Sequence, residues 1–278
     1  LHDYLGEVAL ADLPPPAPDA RVVALDVDGV LETYVLGTSA PGLDGIMAAR
    51  SLVAHGYRVV PVTGRSAPDV ADRLAAWHLP AGVAQYGAFL VDGPTGARTD
   101  LRSEGDRAAV ASARDVVVTL DGVEIDPAYA GIVRAYRRDA AGRRTGLSVD
   151  DLDRVRSALP DPGTVTIVPG EDQSDLTPAT CTKATGLTAL LARGVGSTAA
   201  TERPALAVGD GPADLVMLAL AEQAAVPRHA AALAGPGMLV SHRPYQAGLA
   251  EAVGRLVGHE PGGCPACALD LTPASRFV

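Results

Sequence analysis

Short apolar runs alternate with segments of helical spacing along much of this chain. Residues 22–30 begin as a valine-rich apolar run, which is typical of a buried strand. Apolar residues then recur at helical spacing from Leu43 to His55, and a second apolar run follows at residues 57–62. This alternation predicts a parallel sheet with crossover helices, which is an α/β fold.

This alternation of strands and helices is interrupted after Asp92 and resumes at Lys183. Between these residues the pattern predicts helices at 103–118 and 149–159 and strands at 123–125, 131–137 and 164–168. From Lys183 the pattern again predicts a helix, to Ala192, and then short strands and helices up to Val257. A second, smaller α/β unit is therefore expected to interrupt the first.

Both ends of the chain differ from this pattern. Residues 1–20 contain three consecutive prolines after Leu13, and because proline cannot continue a helix we expect an extended arm. The residues from Gly258 onward are rich in glycine, proline and cysteine, so we expect a tail outside the core. The predicted organisation is an arm (1–20), a core domain (21–92 and 178–257), an inserted domain (93–177) and a tail (258–278).

Charge and composition argue against several classes of function. The chain has 278 residues and a net charge of −10, which argues against a nucleic-acid partner bound through basic patches. No apolar run is long enough to span a membrane, and the first residues lack a signal-peptide pattern. The 3 cysteines, an odd number, do not indicate a disulfide framework. We expect a reduced, cytoplasmic enzyme or binding protein.

Two carboxylates, Asp26 and Asp28, follow the first predicted strand. Their spacing in an extended strand would place both side chains on one face, and Gly29 lets the chain turn away. Ligands of open α/β sheets bind at the carboxyl ends of the strands. One carboxylate can attack phosphorus and form an aspartyl-phosphate, while the other protonates the leaving oxygen and then deprotonates water. Such an acidic site needs a divalent cation and a lysine to offset its charge.

Three later segments supply those groups. Thr63 and the backbone N–H of Gly64 end the second predicted strand, where both can donate to a phosphate oxygen. Lys183 begins a helix, and Asp210 and Asp214 follow a further predicted strand. Carboxylates, a carbonyl and waters form an octahedral oxygen site that suits Mg²⁺. Each segment alone is a weak signal, but their order and their positions at strand ends predict one shared cleft.

Residues 26–30, 63–65, 183 and 209–214 resemble, in this order, the four motifs of the haloacid dehalogenase (HAD) superfamily. The resemblance implies a Rossmann-like, parallel-sheet core with an inserted α/β cap domain. It implies that Asp26 is the nucleophile and that Asp28 is the general acid and base. Thr63 and Lys183 would then bind the phosphoryl group.

The same resemblance implies the ligands of the metal. Asp26, the backbone carbonyl of Asp28, and Asp210 would bind Mg²⁺, with Asp214 in or near that shell. Two residues of the second motif, Gly64 and Arg65, are expected to contact the substrate.

The position of the insertion resembles that in one branch of this superfamily. It looks like the sheet-bearing cap of Cof-type phosphatases, sucrose phosphatase, trehalose-6-phosphate phosphatase and phosphomannomutase, and residues 85–88 are similar to a turn of that branch. Residues 123–124 and 136–138 resemble a cap stretch that contacts the sugar in trehalose-6-phosphate phosphatases. We therefore expect Glu124, Arg134 and Arg137 to bind substrate. The alternative is that they lie on an exposed strand face.

These observations predict a Mg²⁺-dependent phosphatase that hydrolyses a small phosphorylated metabolite through an aspartyl-phosphate. The cap resemblance makes a sugar phosphate the favoured substrate class. A phosphosugar mutase of the phosphomannomutase type is the alternative, because it shares the first chemical step. A non-catalytic binding protein that uses the cysteine-containing tail is a third interpretation. We expect no nucleic-acid or membrane partner, and the sequence leaves a homodimer open.

The tail carries a separate signal, His259-x4-Cys264-x2-Cys267. A Cys-x2-Cys pair is common in zinc sites, but only three ligands are evident, and Cys181 or His242 would have to supply the fourth. The alternative is a flexible tail with two thiols. The other histidines, including His55 and His229, share no spacing and are interpreted as ordinary surface or core residues.

Overall fold

The computed structural model describes residues 8–17, 19–35, 38–194 and 203–269. The helices are α1 (Leu43–Ala54), α2 (Ala67–Ala76), α3 (Glu104–Val117), α4 (Val149–Ala158), α5 (Lys183–Ala192), α6 (Leu215–Leu218) and α7 (Tyr245–Val257). The strands are β1 (Val22–Leu25), β2 (Thr33–Val35), β3 (Thr38–Ala40), β4 (Arg58–Pro61), β5 (Ala81–Ala84), β6 (Phe89–Asp92), β7 (Arg98–Asp100), β8 (Glu124–Ile125), β9 (Val133–Arg138), β10 (Arg144–Thr145), β11 (Val165–Pro169), β12 (Ser174–Pro178), β13 (Leu206–Val208), β14 (Gln223–Val226) and β15 (Leu239–Val240).

Five parallel strands form the core sheet in the order β15-β14-β13-β1-β4. Strand β1 is fully buried because helices cover both faces of the sheet. Its side chains alternate between two apolar clusters: Val23 and Leu25 pack with α1 and α7, whereas Val22 and Ala24 pack with α5. This confirms the α/β fold predicted from the alternating pattern.

Residues 81–92 form a tight hairpin of β5 and β6, which β7 extends. A parallel bridge from Val62 to Val83 attaches it to the edge of the core sheet. Gln85 and Tyr86 in its turn adopt positive φ angles of 50° and 56°. Such angles are uncommon for residues other than glycine, and here they direct the Tyr86 side chain toward the ends of the core strands.

A second, antiparallel sheet has the order β10-β9-β12-β11, with β8 paired to β9. Helices α3 and α4 cover one face and form a third apolar cluster with Val133, Ala135 and Leu176. We call this sheet and its two helices the cap. Sequence analysis did not predict β12, because residues 174–178 contain one apolar side chain, Leu176, among polar residues and a proline.

The two ends of the described chain pack against the core. Ala9 and Leu10 of the expected N-terminal arm are buried in the apolar cluster on α1, and Arg50 of α1 donates to the Ala9 carbonyl at 2.6 Å. The expected external tail returns to the same helix, where Cys267 is fully buried. Residues 1–7 of the arm and 270–278 of the tail lie outside the described residues. Within the described ranges, none of the helices has the length and apolar character that a membrane crossing requires.

Candidate active site

Asp26 and Lys183 form an ion pair at the carboxyl end of the core sheet. Asp26 directly follows β1, Lys183 is the first residue of α5, and the Lys183 Nζ lies 2.7 Å from the Asp26 Oδ1. Both side chains are buried. Burial and the neighbouring Asp214 raise the pKa of Asp26, against the opposing effect of Lys183. Burial lowers the pKa of Lys183, but Asp214 and Asp26 raise it by more, so the amine is held as a cation.

Asp210 and Asp214 complete an acidic cluster beside this pair. Carboxylate oxygens of Asp26, Asp210 and Asp214 all lie within 4.8 Å of one another. One Asp214 oxygen pairs with Lys183, and the other accepts the backbone N–H groups of Asp210 and Gly211 at 2.9 and 2.8 Å. Asp214 therefore fixes the loop that presents Asp210. Burial and the charge of Asp214 raise the pKa of Asp210, although the hydrogen bond from His229 opposes the rise.

His229 positions the Asp210 carboxylate, a contact that sequence analysis missed. The His229 Nδ1 accepts the backbone N–H of Tyr245 at 3.1 Å, so the Nε2 carries the proton and donates to the Asp210 Oδ2 at 2.8 Å. The Tyr245 ring stacks on the imidazole with centroids 4.0 Å apart. The sequence contained a signal for this contact, because His229 closely follows β14, whose carboxyl end lies at the same edge of the parallel sheet as that of β1, the strand that precedes Asp26.

Gly29 has both a conformational and a steric reason to be glycine. Its φ angle is +77°, a region that other residues rarely adopt. A Cβ at this position would lie 1.8 Å from the Asp210 Oδ2. The absence of a side chain therefore lets the loop after Asp28 approach the acidic cluster.

Asp28 lies at the edge of the cluster and is held by Arg65. The Arg65 Nε donates to the Asp28 Oδ2 at 2.9 Å, and the Nη2 donates to the Oδ1. The same guanidinium contacts Ser39 and Asp69 at 2.7 and 3.1 Å. Arg65 lines the cleft, but its donors are committed to these groups, so its geometry is that of a positioning residue for Asp28.

Thr63 and Gly64 follow β4 and face the same space. Thr63 is buried, and its hydroxyl oxygen accepts the Arg65 backbone N–H at 3.2 Å. Its proton remains free to donate to a phosphate oxygen. A Cβ on Gly64 would lie 2.4 Å from the Tyr86 ring, so glycine here allows the tyrosine to cover the site.

Arg134 connects the cap to the core residues of the site. Its guanidinium binds both oxygens of Asp175 on β12 at 2.7 and 2.6 Å and reaches the Gly64 carbonyl at 3.4 Å. It also lies over the Tyr129 ring, 4.0 Å from the centroid. The Tyr86 hydroxyl donates to Asp175 at 2.8 Å, so residues of the core and the cap share one hydrogen-bonded group.

The other two cap predictions, Glu124 and Arg137, do not line the cleft. Arg137 points to the helical side of the cap, where it pairs with Asp151 at 2.8 Å. Glu124 is exposed and binds Tyr136 and Arg138. For Glu124 the alternative interpretation, an exposed strand face, describes the geometry, whereas Arg137 lies half-buried on the face that the helices cover.

A cleft of about 860 Å³ lies between the core strand ends and the cap. Core residues on its wall include Asp26, Asp28, Thr63, Lys183 and Asp214, and cap residues include Tyr129, Arg134, Thr166, Val168 and Thr177. The four sequence segments selected for phosphoryl chemistry therefore meet at one place, as their positions at strand ends predicted.

No family model matches the chain, and no curated protein matches it. Solved structures match over most of its length. A phosphatase of the HAD enzyme superfamily from Bacteroides thetaiotaomicron is 17% identical, with a TM-score of 0.61 over 89% of this chain and 98% of that chain. The C-terminal domain of C. albicans trehalose-6-phosphate phosphatase is 13% identical, with a TM-score of 0.59 over 90% of this chain and all (100%) of that chain.

A third similar structure is the sucrose-phosphatase from Synechocystis sp., solved in complex with sucrose and phosphate. It is 12% identical, with a TM-score of 0.59 over 85% of this chain and 97% of that chain. At these identities the likeness concerns the fold. The chain shares the α/β fold of these three phosphatase structures, which agrees with the fold that the resemblance of its four motifs implied.

Proposed function

We propose that this protein is a Mg²⁺-dependent phosphatase that hydrolyses a sugar phosphate through an aspartyl-phosphate. The observation that carries the proposal is the meeting of Asp26, Lys183 and Asp214 at the floor of the cleft, with the Asp210 carboxylate directly beside them. A buried carboxylate paired with a buried ammonium group, open to a large cavity, suits a nucleophile for phosphorus.

Asp26 and Asp28 have different roles in the proposed reaction. An Asp26 oxygen forms a bond to phosphorus as the ester P–O bond breaks, and Asp28 gives its proton to the leaving oxygen. Asp28 then takes a proton from water, whose oxygen attacks phosphorus, releases inorganic phosphate and restores Asp26. Lys183 and the Thr63 hydroxyl stabilise charge on the phosphoryl oxygens. A protonated carboxyl oxygen accepts poorly from a cation, so one Arg65 contact to Asp28 must open whenever Asp28 carries the proton.

The donor set fits a magnesium ion. Asp26 and Asp210, the Asp28 backbone carbonyl, and Asp214 in or near the shell would hold it, all through oxygen atoms. Burial and mutual repulsion raise the pKa values of Asp26 and Asp210, so one lysine does not offset the charge of the cluster. A divalent cation supplies that missing charge and allows a phosphate dianion to approach.

Two observations favour a sugar phosphate. Two of the similar structures are a trehalose-6-phosphate phosphatase domain and a sucrose-phosphatase. In this chain, the cap wall of the cleft offers the Tyr129 ring and the Thr166 hydroxyl, and Arg134 lies beside them with its guanidinium held by Asp175. Such groups can bind the hydroxyls and the apolar faces of a sugar.

The test is phosphate release from sugar, nucleotide and polyol phosphates, with Mg²⁺ or with EDTA. We expect Mg²⁺-dependent release from sugar phosphates. Isomerisation of a sugar phosphate that requires a bisphosphate activator would identify a mutase instead. A folded protein that released no phosphate from any compound would contradict the proposal.

We expect His229→Ala to weaken Mg²⁺ activation. Loss of the contact to Asp210 removes an outer-shell partner of a metal ligand, which costs about 10- to 100-fold in metal affinity. The half-saturating Mg²⁺ concentration should rise by that factor, while kcat at saturating Mg²⁺ changes less. His242→Ala is the matched control, because His242 is exposed and contacts Glu251 elsewhere. An unchanged Mg²⁺ dependence in His229→Ala would refute this positioning role.

We expect Arg134→Lys to raise the KM for the substrate about tenfold, with a smaller change in kcat. Lysine keeps the charge beside Asp175 but cannot reproduce the planar fork or the stacking on Tyr129. Arg137→Lys breaks a similar fork, to Asp151, on the other side of the cap. It should leave KM unchanged, and equal effects of the two variants would argue that both act through cap stability.

A further inference from the structure

Four side chains with metal-binding atoms meet at a second place in the molecule, remote from the cleft. They are His55, His259, Cys264 and Cys267, and their ligand atoms all lie within 4.8 Å of one another. None of them lines the cleft. Three come from the tail motif of the sequence, and the fourth, His55, ends α1.

The separations of these atoms resemble those of a tetrahedral zinc site. The His55 and His259 Nε2 atoms are 2.9 Å apart, and the Cys264 Sγ is 3.4 Å from both the His55 Nε2 and the Cys267 Sγ. Zinc bonds of about 2.0 Å to nitrogen and 2.3 Å to sulfur, at tetrahedral angles, place ligand atoms about 3.3 to 3.8 Å apart. The cluster therefore needs an expansion of only a few tenths of an ångström to surround one ion.

The surrounding hydrogen bonds hold the ligands in this arrangement. The His259 Nδ1 lies 2.8 Å from the Glu260 carbonyl, to which it can donate, and this leaves the Nε2 lone pair directed at the cluster. A turn closed by the Ala268 N–H and the Cys264 carbonyl at 2.8 Å brings the two thiols together. Arg50 on α1 binds the carbonyls of Cys267 and Ala268 at 3.1 and 2.9 Å.

We propose that His55, His259, Cys264 and Cys267 bind one Zn²⁺ ion in a closed, structural site. Two thiolates and two imidazoles suit Zn²⁺ and not the Mg²⁺ of the cleft, which prefers oxygen. Four protein ligands leave no open position for a reactant. The position of the cluster in the fold is consistent with a structural role. Helix α1 runs antiparallel to the core strands and ends near Arg58, which pairs with the first residue of β1. The site therefore lies at the amino-terminal ends of the core strands, whereas Asp26 lies at their carboxyl-terminal ends.

The structure also corrects the expected source of the fourth ligand. Cys181 lies at the wall of the cleft, and His242 contacts Glu251 on α7. Neither belongs to the cluster that His259 forms. His55 takes that place although it is 204 positions from His259. An ion here would join the end of α1 to the returning tail, so its binding free energy would stabilise the folded chain.

The first test measures zinc in the full chain, purified without chelator, by mass spectrometry of the metal. We expect about one Zn²⁺ per chain, and loss of most of it in Cys264→Ser and in His55→Ala. His55→Ala is the decisive variant, because it leaves the Cys-x2-Cys turn intact. Removal of a direct ligand should lower zinc affinity by more than the about 10- to 100-fold that an outer-shell contact costs. His242→Ala should keep full occupancy.

A second measurement covers the case of a misfolded variant. After a zinc chelator is removed from the wild-type chain, Co²⁺ is titrated in, and tetrahedral thiolate coordination is read from its visible absorption bands. The chelator should lower the melting temperature of the wild type, and Zn²⁺ should restore it, whereas His55→Ala should respond to neither. These readouts need no substrate, so their outcome is separate from that of the phosphatase assay.

Three results would overturn the proposal. The first is a folded wild type that binds neither Zn²⁺ nor Co²⁺ while its thiols are reduced. The second is full zinc occupancy in His55→Ala. The third is a Cys264–Cys267 disulfide in freshly purified protein, revealed by thiol titration before and after reduction, that persists in the presence of zinc and reductant.

Discussion

Asp26→Asn is expected to abolish phosphate release while the fold stays intact. The amide keeps the shape of the carboxylate but cannot form the aspartyl-phosphate, so kcat should fall by at least about 10⁴-fold. The loss should be seen in steady-state phosphate release at saturating Mg²⁺. Far-UV circular dichroism and the melting temperature should remain close to wild type, because the amide oxygen of the new side chain can still accept the Val27 N–H, which the Asp26 carboxylate accepts at 2.7 Å.

The matched control is Asp153→Asn, an identical change on the exposed side of the cap, where Asp153 pairs with Arg156. It should retain wild-type activity. If Asp26→Asn released phosphate at a rate close to the wild type, Asp26 would not be the nucleophile, and the proposed mechanism would fail even if the protein were a phosphatase.

Lys183→Met should give the second-largest effect, on both activity and stability. Methionine has a similar length but no charge, so Asp26 and Asp214 lose their shared buried cation. Loss of a donor to a developing oxyanion costs about 10²- to 10³-fold in kcat. Removal of one partner of a buried ion pair costs about 3–5 kcal/mol in the free energy of unfolding. Denaturant unfolding in EDTA, beside the phosphate assay, measures both.

The chain offers an unusually specific check, because Lys183 is its only lysine. An amine-modifying reagent can therefore react with one side chain besides the terminal amine. We expect slow modification of the buried Lys183, and inorganic phosphate with Mg²⁺ should slow it further if the amine binds the phosphoryl group. A reaction that phosphate does not slow would contradict that role, and a Lys183→Met protein with wild-type kcat would exclude it.

The positions of the core acids could be predicted because they depend on local signals. Parallel strands end at one edge of a sheet, so residues directly after apolar runs, such as Asp26 and Thr63, are brought together by the architecture itself. The start of α5 at Lys183 was equally local, since Thr182 caps the helix. Such inferences need only the order of strands and helices, and they were confirmed for the fold.

The contacts that could not be predicted join segments with no common pattern. Asp175 lies on a strand without an apolar run, and its role appears only when β12 pairs with β9 and places it opposite Arg134. His55 meets the tail through the packing of α1, which no spacing encodes. The position of Arg137 away from the cleft could have been predicted, because two residues three apart on a strand, such as Arg134 and Arg137, point to opposite faces.

That alternation has a consequence for how the cap could be altered. Arg134 faces the cleft, whereas Val133 and Ala135 face the apolar cluster under the helices. A slip of β9 by one residue would bury the guanidinium in that cluster and expose both apolar side chains, so the register is strongly determined. Libraries aimed at new substrates can therefore vary cleft-facing positions on β11, such as Thr166 and Val168, and should change Arg134 and Asp175 only together, while the intervening positions of β9 keep the strands aligned.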